Sequence, residues 1–343
     1  MDLQLTEDEE AVRDLFVAFF EKECSTTLVR GAEQLGFSAY LWSRLAETGA
    51  PLLGASEEVG GAGASLLDLA LVCEQVGHHV APVPLVDHFV ATRAVERAGA
   101  LAALSTCLRD NDIMSTVVRN ESGSVAPAGA VARYLVGMDR SGQFTLVQRE
   151  PPGVSTPNLA SLPLTKCSAE TDAPNEMREV LAVSDEANAI HAYARAEWQA
   201  LMAASLVGLA DASLEMVRAY VCERRQFGVP IGSFQAIQHG LADLVGPIEG
   251  ARLLALKAAW TLQQPNGAGE VLAAMAFLFA SEVAQQVTER AVHYSGGYGL
   301  IDENDLQLYF RRAKGWTLLG GDPRLEYADV GRRLCLQHRR HTP

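Results

Sequence analysis

The sequence predicts a mainly α-helical fold that carries a small β insert. Apolar residues recur at helical spacing from residue 5 to about residue 98, short β-prone runs follow, and alanine-rich helical stretches begin near residue 187. The hydrophobic fraction of 48% and the charged fraction of 20% are those of a globular protein, so wholesale disorder is excluded. We expect three domains: a helical domain over residues 1–101, a reduced β domain over 102–185, and an antiparallel helical bundle over 186–343.

The first region carries clear helix-start signals. Glu9 follows Thr6 after three residues, which is a capping box, and the apolar residues beyond it recur at helical spacing. A glycine-broken loop over residues 51–63 interrupts the region, and a further helix is expected to begin near Ser65. These signals predict that the chain starts as a helical domain.

The second and third regions differ in periodicity. Residues 134–137 and 144–147 are β-prone runs on either side of Asp139-Arg140-Ser141-Gly142, which predicts a hairpin. Long helices joined by short Gly/Pro breaks favour an antiparallel bundle in the third region. We expect three such helices, the second of them kinked at Pro247, over residues 187–219, 234–262 and 270–294.

Charge and cysteine usage narrow the function classes. The 343 residues include 28 Lys+Arg and 42 Asp+Glu, and the formal net charge of -14 opposes binding to nucleic acid. Six scattered cysteines, without a Cys-x-x-Cys pair or zinc spacing, indicate free thiols and no metal site. The acidic first ten residues are unlike a signal peptide, and the most apolar stretch, Val271 to Ala280, is too short for a bilayer. We therefore expect a cytoplasmic protein that does not bind membranes.

Two patterns carry candidate chemistry. Arg224-Arg225-Gln226-Phe227-Gly228 ends a predicted helix, and Arg224 could clamp a phosphate, although helix-terminal arginines also complement the macrodipole. The glycines of His293 to Gly299 could bring a phosphate onto exposed amides, although they could equally form a helix cap and turn. Pattern alone identifies neither a nucleophile nor a metal ligand set.

Longer runs make a more specific case. Residues 224–239 read Arg-Arg-Gln-Phe-Gly-Val-Pro-Ile-Gly-Ser-Phe-Gln-Ala-Ile-Gln-His, and Leu241-Ala242-Asp243 follows. Further runs are Ser295-Gly296-Gly297-Tyr298-Gly299, Arg311-Arg312-Ala313-Lys314, Glu57-Glu58-Val59-Gly60-Gly61-Ala62-Gly63 and Glu74-Gln75-Val76-Gly77. In order and spacing, over nearly the whole chain, these runs resemble the flavin-dependent acyl-CoA dehydrogenase family.

The resemblance implies a tetramer in which FAD lies between subunits. The flavin ring would rest on one subunit's β domain, while the neighbour's carboxy-terminal helices would hold the adenosine pyrophosphate. An arginine fork and exposed glycine amides suit a pyrophosphate. The family usually has Gln where this chain has His293. Matched by position, the residues that would contact the neighbour's FAD are Arg224, Gln226, Phe227, Gln235, His293, Gly296 and Gly297.

The resemblance also locates two positions for a catalytic base, and neither holds an acid. Family enzymes remove an α-proton from the acyl thioester with a carboxylate while the β-hydride passes to the flavin. Gly320 stands at the usual base position, and Trp198 stands at the alternative one on the first long carboxy-terminal helix. Glycine has no group that could accept a proton. Glu197 lies about 100° around the helix from Trp198, so we expect it to face elsewhere as a solvated residue.

The β region departs from the family pattern as well. The family's Thr-Glu-Pro-Gly-Ala-Gly-Ser-Asp and Trp-Ile-Thr-Asn runs, which hold flavin and substrate, have no counterpart in residues 102–185. The nearest run, Asn120-Glu121-Ser122-Gly123-Ser124, keeps little of the pattern. The half-site that would seat a flavin and an acyl-CoA therefore looks degraded, whereas the half-site for a neighbour's FAD looks intact.

These departures favour a non-catalytic subunit of a heteromeric acyl-CoA dehydrogenase. The chain resembles the short subunits of actinobacterial α2β2 enzymes that desaturate steroid-derived CoA thioesters, with a partner that supplies the base, the flavin seat and the thioester pocket. One alternative is a self-sufficient homotetramer whose base has moved to Glu197 or Asp322. Another is a non-redox protein on the same fold that binds an acyl thioester or acts as a scaffold. A DNA-associated relative is a third, which the charge opposes.

Overall fold

Helices, then strands, then helices follow one another along the chain, in the predicted order. The computed structural model describes residues 4–108, 111–117, 125–150, 153–166, 177–264 and 269–341. The run Asn120–Ser124, the nearest match to the family's flavin-seat motif, lies outside these residues. The predicted domain boundary after residue 101 falls in the first turn of the helix over residues 101–108. The boundary after residue 185 falls in the first turn of the helix over residues 184–223. As domain limits, both remain predictions.

Six helices build the amino-terminal region: α1 (Glu7–Glu23), α2 (Thr26–Gly31), α3 (Ala39–Glu47), α4 (Leu66–His78), α5 (Leu85–Arg97) and α6 (Leu101–Leu108). The capping box of α1 is confirmed, because the Glu9 N–H donates to Thr6 Oγ1 at 3.3 Å and the Thr6 N–H donates to the Glu9 carboxylate at 2.7 Å. Ser65 caps α4 in the same way, with Asp68 as its reciprocal partner. Helix α5 is central, since residues 85–92 are buried without interruption.

The described residues of the β region form one four-stranded sheet and one small ribbon. Its strands are β1 (Met114–Val117), β2 (Val125–Ala126), β3 (Tyr134–Met138), β4 (Phe144–Gln148), β5 (Thr165–Lys166) and β6 (Met177–Ala182). The sheet order is β1-β3-β4-β6, with β1 parallel to β3 and the other pairs antiparallel. The β3–β4 hairpin confirms the prediction. Asp139 Oδ1 holds its turn by accepting from the Ser141 N–H at 2.8 Å.

The carboxy-terminal region is a bundle around one long helix. Its elements are α7 (Ser184–Glu223), β7 (Arg225–Gln226), β8 (Val229–Pro230), α8 (Gln235–Leu262), α9 (Gly269–Ser295), α10 (Leu306–Leu319) and α11 (Pro323–His341). Helix α7 can sit at the centre because small residues let other backbones approach. A Cβ on Gly77 of α4 would lie 1.7 Å from the Ser205 carbonyl oxygen, so only glycine permits this crossing of α4 and α7.

The two most apolar helical stretches are core elements. Residues 184–223 and 269–300 are long and apolar enough to cross a membrane by length and composition alone. The stretch Val271 to Ala280 was expected to be too short, but it belongs to the 27-residue helix α9. In their most apolar windows, 78% and 67% of the residues are buried inside the protein. Their apolar surface is thus already used in the core.

Ion pairs fasten the amino-terminal helices to the bundle. The Glu33 carboxylate accepts from Arg312 at 2.5 Å and also pairs with Arg311, while Arg30 pairs with Asp305 at 2.6 Å. Arg312 is buried, so its pairing with Glu33 offsets a desolvation penalty that would otherwise be large. These contacts hold α10 in place against the amino-terminal helices, and α10 ends at Gly320.

Candidate functional site

The predicted cofactor residues meet at one end of the bundle. The carboxyl end of α7, the β7–β8 hairpin, the amino end of α8 and the carboxyl end of α9 pack on one small apolar cluster that includes Val217, Val221, Ala291 and Leu306. The Tyr220 hydroxyl reaches the Ser295 carbonyl at 3.5 Å, and the Tyr294 hydroxyl reaches the Ala236 carbonyl at 3.4 Å. We call this region, which carries the seven predicted cofactor residues, the bundle end.

The arginine at the bundle end is free to bind a ligand. Arg224 caps α7 through its backbone, whose N–H donates to the Tyr220 carbonyl at 2.8 Å, and its carbonyl accepts from the Ile231 N–H at 2.7 Å. Its guanidinium is exposed, and no carboxylate of the described residues lies within ion-pair distance of it. The chain thus fixes the backbone of Arg224 and leaves the five N–H donors of its side chain to solvent.

The hairpin loop exposes an aromatic ring. Phe227 and Gly228 both have positive φ values, +53° and +83°, as a two-residue type I′ loop requires. A positive φ is unusual for a bulky residue, and the Phe227 side chain is 93% exposed. Its contact within the chain is an edge-to-face one with Phe234, at 6.3 Å between ring centroids. An exposed apolar ring on a strained turn is typical of a surface that another molecule covers.

The remaining cofactor candidates surround this loop. Gln226, Gln235 and His293 are exposed, and Gln235 is the first residue of α8, where the helix dipole favours an anion. A Cβ on Gly296 or Gly297 would meet no atom of this chain within 4 Å, so their backbone is open to close approach. Positive side chains, a helix amino terminus and open glycine backbone fit a pyrophosphate.

The two positions predicted for a catalytic base lie in a different part of the bundle, and one side chain lies against both. A Cβ on Gly320 would lie 2.2 Å from Cε1 of Phe277 on α9, so the ring occupies the space that any side chain at position 320 would need. Trp198 on α7 is fully buried, and its ring centroid is 5.3 Å from that of Phe277. We call the region around Phe277, Trp198 and Gly320 the base region.

A buried acid holds Trp198 in place. The indole Nε1–H donates to Asp87 Oδ1 on α5 at 3.2 Å. Asp87 is 5% exposed, and this burial raises the pKa of its carboxyl to about 7, against a smaller lowering by the Trp198 hydrogen bond. The carboxylate at this position therefore orients an indole, and its accepting oxygen faces a donor rather than an open pocket.

Glu197 is not the solvated residue that the sequence predicted. It is fully buried, and its Oε1 pairs with Arg93 at 2.9 Å and with Arg97 at 3.3 Å, both on α5. The prediction assumed that the face of α7 that carries Glu197 is open to solvent. In the structure α5 covers that face. Arg97 in turn lies over the Tyr193 ring, at 3.6 Å from its centroid. Oε1 of Glu197 is therefore committed to two guanidinium groups, whereas its Oε2 is buried without a hydrogen-bond partner among the described residues.

Asp322, the other candidate for a relocated base, is also engaged. Its Oδ1 accepts from the Arg324 backbone N–H at 3.0 Å, and its Oδ2 pairs with the Arg324 guanidinium at 2.8 Å. The residue lies at the start of α11, where it satisfies a free backbone donor. Its contacts are those of a helix cap.

Sequence reasoning missed both Phe277 and Asp87. Phe277 belongs to the apolar stretch Val271 to Ala280, where periodicity identifies a core residue without saying which neighbours it meets. Asp87 left a clearer signal, because a lone carboxylate inside the run Val83-Pro84-Leu85-Val86-Asp87-His88-Phe89-Val90 has to be buried. A buried carboxylate needs a partner, and that partner could have been sought among the indole and hydroxyl donors.

Comparison with known proteins decides the family. Residues 6–109 match the N-terminal domain of acyl-CoA dehydrogenases, and residues 196–335 match the C-terminal domain. The chain belongs to the acyl-CoA dehydrogenase family. It is 33% identical over 323 residues to acyl-CoA dehydrogenase IpdE2 of Mycolicibacterium smegmatis, covering 93% of this chain and 96% of that protein.

Solved acyl-CoA dehydrogenase structures share the fold. The ChsE4-ChsE5 complex from Mycobacterium tuberculosis contains a chain that superimposes with a TM-score of 0.81 at 24% identity, over 100% of both chains. A variant of the Tcur3481-Tcur3483 steroid ACAD gives a TM-score of 0.83 at 24% identity, over 97% of this chain and 99% of that one. The predicted fold of helical, β and helical regions is therefore confirmed. Membership of the family supports oxidoreductase activity.

Proposed function

We propose that this chain is the non-catalytic subunit of a heteromeric FAD-dependent acyl-CoA dehydrogenase, in which it completes the FAD site of a catalytic partner. The reaction is the α,β-desaturation of a CoA thioester. The partner supplies the base, the seat of the flavin ring and most of the acyl-CoA site. We place the assembly, an α2β2 heterotetramer, in the cytoplasm.

The observation that carries this proposal is the packing of the base region. A base must come within hydrogen-bond reach of the proton that it removes. Position 320 has no side chain, position 198 holds an indole tied to Asp87, and Phe277 occupies the space beside both. Glu197 and Asp322, the acids considered for a relocated base, are bound to arginines. These contacts weigh against the self-sufficient homotetramer.

The bundle end supports the other half of the proposal. Trp198 and Arg224 lie 26 residues apart on α7, which places them about 39 Å apart along the helix axis. The cofactor residues therefore lie far from the base region of their own chain, and we infer that they serve a reacting centre in another chain. FAD, when bound, supplies the acceptor for the substrate hydride. Arg224 holds the pyrophosphate through its guanidinium, while Gly296 and Gly297 let it approach the backbone.

The nature of the partner and substrate is inferred from relatives. Two structural neighbours are complexes of unlike chains, and one of them is described as a steroid ACAD. We extend both features to this protein and propose a bulky, steroid-derived acyl group. A subunit that gives up its own acyl site leaves space for such a group at the partner's site.

Flavin content tests the proposal. The chain is expressed alone and with each adjacent dehydrogenase-like gene, and the visible spectrum and the flavin per chain are measured. We expect a colourless protein alone and a yellow complex with one FAD per pair of unlike chains. The yellow complex should bleach when its acyl-CoA is added.

Two results contradict the proposal, and each identifies an alternative. One FAD per chain, or a yellow homotetramer that an acyl-CoA bleaches, would identify a self-sufficient dehydrogenase. A protein that stays colourless with every candidate partner would identify a non-redox acyl-CoA-binding or scaffold protein.

A further inference from the structure

The two base positions of the family define one place in space. Whichever position carries the acid, its carboxylate must reach the same α-proton of the thioester. Side chains at positions 320 and 198 therefore have to converge on the α-carbon of a bound substrate. In this chain the ring of Phe277 lies at that convergence, because it blocks a Cβ at position 320 and packs against Trp198.

The Phe277 ring is held from several sides. It is 2% exposed, with Trp198 on one side and the Gly320 backbone at its edge, and Trp198 is anchored by Asp87. The ring and Gly320 both line a cavity of about 100 Å³ between α9, α10 and the start of α11, together with Leu278, Ser281 and Tyr327. The ring and the backbone of Gly320 are thus adjoining parts of the wall of this cavity, and the ring lies between the cavity and Trp198.

We propose that Phe277 is the residue that closes this chain's own acyl site. A smaller side chain at position 277 would extend this cavity from Gly320 towards Trp198 and create an apolar chamber of the kind that accepts an acyl group. The inference rests on the proposed function, since it explains how one subunit of each pair excludes the thioester. Sequence comparison finds the missing carboxylate, but only the packing identifies the side chain that has taken its place.

The first experiment tests the position of the ring by coupling two substitutions. Gly320→Ala should lower the melting temperature of the chain by about 5 °C or more, because its Cβ would have to displace the Phe277 ring. Phe277→Leu lacks the distal ring atoms, so the double variant Phe277→Leu/Gly320→Ala should be more stable than the two single effects predict. Gly331→Ala is the matched control, because a Cβ there meets nothing within 4 Å. Strictly additive effects would overturn the proposal.

The second experiment asks whether the space opened at position 277 joins the existing cavity and therefore takes an apolar ligand better than the isolated void that any buried phenylalanine leaves when it is removed. Benzene should raise the melting temperature of Phe277→Ala. The substitution enlarges the existing cavity of about 100 Å³, and apolar cavities somewhat larger than that bind benzene. Phe89→Ala is the control. Phe89 is equally buried, on α5, and it is not among the described residues that line that cavity. Equal benzene effects in both variants, or none in Phe277→Ala, would overturn the proposal. Should Phe277→Ala fail to fold, Phe277→Leu is titrated instead.

The outcome is separable from that of the proposed function. Phe277→Leu leaves the bundle end unchanged, so the complex with the partner should retain its one FAD per pair. A complex that keeps FAD while both Phe277 tests fail overturns this inference alone. A wild-type complex that never retains FAD overturns the proposed function, whatever the Phe277 variants show.

Discussion

The base region and the bundle end lie on the same helices, yet their side chains are used in opposite ways. In the base region Trp198 is paired with Asp87, and one carboxylate oxygen of Glu197 is paired with two arginines. At the bundle end Arg224 lacks an ion-pair partner among the described residues, and Phe227 is 93% exposed. A buried polar group without a partner is costly, whereas an exposed one is solvated.

The contrast is the one that the proposed function requires. A site that no longer binds substrate can fill with side chains that pack against one another, which removes the voids that a ligand would occupy. A site that completes a neighbour's cofactor pocket has to keep donors and apolar surface exposed until the neighbour arrives. The four predictions that follow test each side of this difference.

Loss of the buried Glu197 carboxylate should have the largest effect. Glu197→Gln leaves two guanidinium groups without a counter-charge, one of them largely buried, so we expect the free energy of unfolding to fall by about 3–5 kcal/mol. Urea unfolding measures it, and Glu215→Gln, exposed on the same helix, should change it by less than about 0.5 kcal/mol. If Glu197 were instead a catalytic base, the variant would stay stable and lose only the bleaching of flavin.

The buried Asp87 should make stability depend on pH. Its folded-state pKa of about 7 lies above its ordinary value of 3.8, so the folded state binds more protons between those values. The free energy of unfolding should therefore decrease as the pH rises from 4 to 7, by on the order of 4 kcal/mol from this group. Asp87→Asn keeps an oxygen for Trp198 and should remove this decrease, which urea unfolding at several pH values would detect. Asp302→Asn, at an exposed position, should leave this decrease with pH in place. An unchanged pH dependence in Asp87→Asn would show that Asp87 is not its source.

At the bundle end, substitutions should weaken flavin retention without unfolding the chain. Arg224→Lys keeps the charge but loses the bidentate fork, so FAD should dissociate from the complex about 10–100 times more readily. The unfolding free energy should change by less than about 0.5 kcal/mol, because the side chain is exposed. Fluorescence of released flavin measures the loss. An equal loss in the neighbouring Arg225→Lys would show that only general charge matters.

The smallest effect is expected at the open glycine backbone. Gly297→Ala places a methyl group where nothing of this chain lies within 4 Å, so stability should be unchanged. FAD retention by the complex should fall severalfold, because the methyl group would stand between the backbone and the cofactor. Gly331→Ala, which is equally open but distant in sequence, should leave FAD retention unchanged and, because Gly331 lies within α11, raise the free energy of unfolding by about 0.5–1 kcal/mol. Full flavin retention in Gly297→Ala would remove this glycine from the proposed site.

Much of the architecture was predictable because it depends on local signals. The capping boxes at Thr6 and Ser65, the β3–β4 hairpin and the long helices follow from residue types at short spacing. The seven cofactor candidates were predicted through the family resemblance, and the structure brings their segments together at one end of the bundle. The prediction that Glu197 is solvated was wrong. Periodicity on α7 alone cannot reveal that α5 covers the face of α7 on which Glu197 lies.

The sequence by itself determined the order of helices and strands, the family, and the absence of a carboxyl group at position 320, since each is a property of residue identity and spacing. Only the tertiary structure decided which side chain lies beside Gly320. Phe277 meets Gly320 43 residues further along the chain, and Asp87 meets Trp198 across 111 residues. Such contacts arise from the packing of helices whose crossing no local pattern specifies, which is why the neighbours of Gly320 and Trp198 became visible only in three dimensions.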